Sequence, residues 1–148
     1  MMIKKDICKL ALVQAAPVMF DKDKCVEKIT NLIGEAAAKG AELVVFPELF
    51  IPGYPYGMTY GFTVGSRSRA GREDWKTYYD NSILADGAEM QSIVDCAKEH
   101  SVYVSVGYSE RDAVTATLYN SNIMIAPDGQ TMNHRKLKPT GNERVIWG

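Results

Sequence analysis

The chain has 148 residues, 46% hydrophobic and 24% charged, with a formal net charge of -1. Those values fit one globular domain and give no sign of a nucleic-acid or acidic-membrane partner. No segment approaches the roughly 18 apolar residues of a membrane helix, and Met1 to Lys9, with Lys4, Lys5 and Asp6, lacks an apolar signal core. A cytoplasmic address is therefore expected.

Three cysteines, Cys8, Cys25 and Cys96, are an odd number at irregular spacing, which excludes a disulfide framework and a Cys-x-x-Cys metal site. The two histidines, His100 and His134, lie far apart without other ligand types around them. No metal and no cofactor is expected.

Taken in order, Lys9 to Ala16 reads as a first buried strand closed by Pro17. Asp21 or Asp23 can cap a helix running to about Lys39, with Val26, Ile29, Ile33 and Ala36 on its apolar face and Gly40 at its end. Leu43 to Phe46 is a second strand, stopped by Pro47. The intervening helix is long enough for a crossover, so the two strands should be parallel.

Gly53 to Asn81 is rich in glycine and aromatics, with a short helix expected around Arg72 to Tyr79. Arg67, Arg69 and Arg72 are followed at once by Glu73 and Asp74, the pattern of a solvated loop or a subunit contact. A helix over Asp86 to Glu99 would bury Met90, Ile93, Val94 and Ala97. Strands follow at Ser101 to Ser109 and Leu118 to Ala126. Pro127-Asp128-Gly129 then turns the chain into another near Thr131 to Arg135. No repeat, low-complexity tract or linker divides residues 1–148, which read as one α/β domain.

Two stretches carry chemistry. Glu48 stands just past a buried strand among Phe46, Leu49 and Phe50, at the rim where open α/β sheets bind ligands. Loss of hydration there makes a carboxylate a better proton acceptor, although it could equally serve as a structural acceptor for the following turn. Near the C-terminus is His134-Arg135-Lys136-Leu137-Lys138-Pro139-Thr140. In a strand Lys136 and Lys138 would share a face opposite Arg135, and Pro139 would end that strand. A lysine at such a terminus is either solvated or placed to stabilise a developing anion.

Phe46-Pro47-Glu48-Leu49-Phe50-Ile51-Pro52-Gly53-Tyr54, together with Arg135 to Thr140, Glu143-Arg144 and Trp147-Gly148, resembles the nitrilase branch of the carbon–nitrogen hydrolase superfamily. The Pro-Thr ending and the Tyr54-Pro55 pair favour nitrilases over the related amidases. The resemblance implies a four-layer α-β-β-α sandwich, of which this chain would supply about the first half, and a homo-oligomer. It implies Glu48 as general base, Lys136 as stabiliser of the tetrahedral intermediate, Glu143 as a supporting glutamate and Tyr54 at the wall of the substrate pocket. His134 reads as a strand neighbour.

The implied reaction converts a small nitrile to a carboxylic acid and ammonia through a thioimidate on a cysteine. The family places that cysteine beyond the lysine motif, so the chain would be truncated before it. Cys8, Cys25 and Cys96 do not fill the role, although Cys25 adjoins Lys24. The chain as written is then expected to be inactive, or alternatively a catalytically dead binding or assembly module. A flavodoxin-like nucleotide binder would need a glycine-rich loop after the first strand, where the chain offers Pro17-Val18-Met19-Phe20-Asp21.

Overall fold

The computed structural model describes residues 7–148; Lys4, Lys5 and Asp6 lie outside them. A single five-stranded sheet runs β1 (Leu10–Leu12), β2 (Leu43–Val45), β3 (Tyr103–Arg111), β4 (Leu118–Ile125), β5 (Thr131–Arg135), in spatial as in chain order. The first three strands are parallel and the last two antiparallel. Three helices, α1 (Lys22–Ala38), α2 (Arg69–Asp80) and α3 (Ala88–Glu99), fall between the parallel strands.

α1 starts at Asp21, whose Oδ1 accepts the Lys24 N–H at 3.0 Å. It stops before Gly40, whose φ of +81° suits only a residue without Cβ. Its inward stripe is Cys25, Ile29, Ile33 and Ala36, so Cys25 takes the inner place expected of Val26. α3 buries Met90, Ile93, Val94 and Ala97, as its spacing requires. Both helices share a core with Val44, Val104, Val106, Ile123 and Ile125 on one face of the sheet. Truncating any of those isoleucines to alanine would cost about 2–5 kcal/mol.

The first strand is shorter than its hydrophobic run. Its partner among the described residues, β2, is cut off at Pro47, so the ladder ends after the Val13 N–H bond to the Val45 carbonyl (2.9 Å). α2 is longer than expected because Ser68 caps it, Oγ accepting the Gly71 N–H at 3.2 Å. β5 covers Thr131–Arg135 as expected and does not run on to Pro139, so Lys136 lies one residue beyond it.

The opposite face of the sheet is of another character. Side chains alternate along a strand, so Ser105, Gly107 and Ser109 of β3 and Asn120 and Asn122 of β4 point away from α1 and α3. A smaller core of Leu49, Tyr60, Tyr78, Leu118 and Trp147 lies at one end. There the Trp147 indole N–H donates to Ser109 Oγ at 3.1 Å and fixes a 3₁₀ turn, Gly141–Val145, against the body.

Candidate active site

The backbone at Glu48 is set by its neighbours in sequence. Past Pro47, Leu49 adopts φ = 50°, a left-handed conformation that costs a non-glycine residue about 1–3 kcal/mol. Buried Leu49, Phe50 and Ile51 stabilise that turn. Phe50 N–H donates to the Gly107 carbonyl at 2.8 Å, and Ser109 N–H donates to the Ile51 carbonyl at 2.7 Å. The carboxylate is thereby held over the polar face of the sheet. Its side chain is 52% exposed, so it is less desolvated than its apolar neighbours in sequence lead one to expect. Those neighbours turn inward while Glu48 turns out.

Lys136 reaches the same place from the far edge. Its backbone N–H donates to the Asn120 carbonyl at 2.7 Å, and its Nζ lies 2.9 Å from Glu48 Oε1. The ammonium also donates to Glu143 Oε1 at 3.1 Å and lies 3.0 Å from Oε2. Glu143 is well covered and accepts two further bonds, from Thr140 N–H at 2.6 Å and from the Tyr54 hydroxyl at 2.9 Å. Tyr54 in turn rests against Trp147, with ring centroids 5.9 Å apart. Residues 48, 54, 136 and 143, far apart in sequence, thus form one chain of hydrogen bonds.

The charges follow from those bonds. Burial pulls the Lys136 ammonium down, but Glu48 and Glu143 outweigh it and hold its pKa above the usual lysine value. Burial raises the Glu143 carboxyl, yet bonds from Thr140, Lys136 and Tyr54 leave it below the ordinary range. Tyr54 is raised, first by burial and then by Glu143, and stays a donor. Near neutrality Lys136 is a fixed hydrogen-bond donor and no base.

The cavity beside this cluster, about 460 Å³, is lined by Glu48, Gly107, Asn120, Asn122, His134, Lys136 and Leu137. Tyr54 does not line it. Tyr54 belongs, with Glu143 and Trp147, to an adjoining cavity of about 240 Å³. His134, paired opposite Asn122 in β5, contributes to the first wall.

None of the helical thiols faces this cavity. Cys25 is buried in the core on the other side of the sheet, where burial raises its pKa, and Cys96 packs against that same core. Arg69 pairs with Glu73 at 2.8 Å, while Arg67 and Arg72 line a separate surface cavity. Among the described residues no group of three or more His, Cys, Asp or Glu could hold a metal ion. No helix among them is long and apolar enough to cross a membrane.

Asn120 escaped the sequence reading. Its Nδ2 donates to Glu48 Oε1 at 2.7 Å, the same oxygen that meets Lys136. The available signal was Asn120-Ser121-Asn122, because asparagine is disfavoured in strand interiors unless its amide has work there. Glu110 also went unnoticed. It is a buried carboxylate on the helix-side face, held by Arg135, Ser121 and Asn133.

The carbon–nitrogen hydrolase family model matches residues 9–148, and the chain belongs to that family. It is 44% identical over 140 residues to an aliphatic nitrilase of Sinorhizobium fredii (strain HH103), covering 95% of this chain and 45% of that protein. It is 41% identical over 143 residues to nitrilase 2 of Arabidopsis thaliana, covering 96% and 42%. Among solved structures, Saccharomyces cerevisiae Nit3, a member of the nitrilase superfamily, superposes with a TM-score of 0.70 at 22% identity, over 95% of this chain and 48% of that one. The chain thus spans somewhat under half of these relatives. Its α/β architecture, one sheet with α1 and α3 as a helical layer, is consistent with part of the family's α-β-β-α sandwich.

Proposed function

We propose that the chain carries the general base and the anion-stabilising lysine of a nitrilase, which hydrolyses a small nitrile to a carboxylic acid and ammonia. The observation that carries this is the 2.9 Å contact between Lys136 Nζ and Glu48 Oε1, with Glu143 on the same ammonium. The relatives named nitrilases favour a nitrile over an amide as substrate.

In this reading the nucleophile is a cysteine thiol from a segment beyond Gly148. Two carboxylates and one ammonium give the cluster a net negative charge, which disfavours a thiolate until a base takes its proton. Glu48 Oε1 is occupied by Asn120 and Lys136, which leaves Oε2 as the accepting atom. The sulfur attacks the nitrile carbon as the S–H proton passes to Glu48, and Glu48 returns that proton to the nitrogen, giving a neutral thioimidate and a free carboxylate. Glu48 next deprotonates a water that adds to that carbon, and the Lys136 ammonium stabilises the tetrahedral species. Glu48 passes the proton it took from water to the nitrogen, ammonia leaves and a thioester remains. Glu48 then takes a proton from a second water, which adds to the carbonyl carbon, and returns it to the departing sulfur, so that the acid and the thiol are released. Glu143 and Tyr54 hold the ammonium in place.

The test is ammonia and acid release from aliphatic and aromatic nitriles by the protein expressed from the complete reading frame. One ammonia and one acid per nitrile supports the reading, and amide as the main product or no turnover rejects it. The chain of 148 residues by itself should release none.

A further inference from the structure

β5 is an edge strand whose residues are all exposed, yet the lysine just beyond its end is held within hydrogen-bond reach of two carboxylates. Backbone pairing to β4 sets the register of such a strand but leaves its open end free to fray. Beyond the bond from the Lys136 N–H to the Asn120 carbonyl, at 2.7 Å, a second anchor lies on the opposite face of the sheet. Arg135, directly before Lys136, sends its guanidinium back across β4 to Glu110 of β3, with Nε donating to Oε1 at 3.0 Å and Nη2 donating to the same oxygen. Nη2 also donates to Asp112 Oδ2 at 3.1 Å, and the guanidinium carbon lies 3.8 Å from the Tyr119 ring centroid.

Glu110 itself is fully engaged. Its side chain is 4% exposed, and its other oxygen accepts from Ser121 Oγ at 2.6 Å and from Asn133 Nδ2 at 2.7 Å. One buried carboxylate on β3 therefore ties down Ser121 of β4 and two residues of β5. A buried charge with this many donors is geometrically specific, and removing one partner leaves the other uncompensated. Side chains alternate, so fixing Arg135 on one face fixes the direction in which Lys136 leaves the other.

We infer that Glu110 and Arg135 form a positioning pair for Lys136: the ion pair on the helix side of the sheet aims the ammonium on the cavity side. This rests on the reading of Lys136 as the stabilising cation. A lysine displaced by an ångström or so loses most of its effect on a transition state, which makes remote aim a kinetic matter.

The test uses trace acetic anhydride labelling of the chain at mildly alkaline pH, with Lys136 and exposed Lys138 quantified by peptide mass spectrometry. In the unaltered chain Lys136, held by two carboxylates, should react about fivefold or more slowly than Lys138. In Glu110→Gln that protection should largely vanish while the circular dichroism spectrum is kept. In the complete reading frame the same variant should lower kcat about tenfold or more with KM little changed. Should Glu110→Gln fail to fold, Arg135→Gln serves instead, since Arg135 is 42% exposed and Glu110 keeps Ser121 and Asn133. Arg135→Lys should recover part of both effects.

A folded variant with lower melting temperature but unchanged Lys136 protection and kcat overturns the inference and leaves the pair a structural strut. Equal labelling of Lys136 and Lys138 in the unaltered chain overturns the reading of the site as well.

Discussion

Gly107 lies directly beneath Glu48. A Cβ built on Gly107 would fall 2.7 Å from the Glu48 Cα, 2.6 Å from the Pro47 carbonyl oxygen and 2.7 Å from the Leu49 nitrogen. All three are backbone atoms, so the turn carrying the carboxylate can sit on β3 only if that position has no side chain. Gly107→Ala should lower stability by about 1–3 kcal/mol, as other overpacking changes do. It should also abolish most ammonia release in the complete protein, because Glu48 moves. A variant with a native melting temperature and native kcat would show that the turn can shift freely.

The hydroxyl of Tyr54 is spent on Glu143 rather than on the Glu48 cavity. Tyr54→Phe should therefore cost one hydrogen bond, about 0.5–1.5 kcal/mol, or roughly 2–12-fold in kcat/KM. The loss should appear in kcat with KM unchanged, and Glu143→Gln should show the same pattern more strongly. A raised KM with normal kcat would instead give Tyr54 a direct contact with the substrate.

The pH dependence of stability has a definite sign. Glu143 and Glu110 have folded pKa values below the ordinary carboxyl range, against burial, because Lys136 and Arg135 with their neighbouring donors hold them ionised. Asp112, taking the Thr115 and Val114 N–H groups, is pushed down to about 2. Their stabilisation is complete above the unfolded carboxyl pKa of about 4 and is lost as pH falls through the lower folded values. Lys136, raised, contributes fully below the ordinary lysine pKa and loses its contribution only as pH climbs through its higher folded value. The melting temperature should stay level from neutrality to mild acid and then fall, less steeply in Glu143→Gln. A fall beginning well above the carboxyl range would contradict these assignments.

Leu12 of β1 and Met132 of β5, 73% and 70% exposed, lie with Leu10 and Tyr103 on the open sheet face, near the two edges that β1 and β5 form. An apolar face next to an unpaired edge promotes association. Light scattering should find dimers or larger species for this chain, and Leu12→Lys with Met132→Lys should shift it toward monomer. A monomer before any substitution would refute this.

Much of the fold was legible because periodicity reports burial directly. The stripe of α3 and the stop at Pro47 needed nothing beyond local pattern. Elements that depend on a partner were less visible: β1 is short because β2 is short, and α2 begins early because Ser68 caps it. In the site, Glu48, Lys136, Tyr54 and Glu143 stood out through motif resemblance. Asn120 and Glu110 did not, since a polar residue inside a strand acquires its meaning only from what lies across the sheet. That Tyr54 turns to Glu143, away from the larger cavity, also depends on the 3₁₀ turn, which no periodicity announced.

In the proposed function Glu48 and Lys136 act as one catalytic unit. Ammonia release should be measured for the complete protein carrying Glu48→Gln, Lys136→Ala and both together. Each single change should reduce kcat by about 100-fold or more, and the double variant should be little worse than the poorer single one, because groups that work as a unit are strongly non-additive. Losses that multiply independently, or a single variant with normal turnover, would contradict the claim.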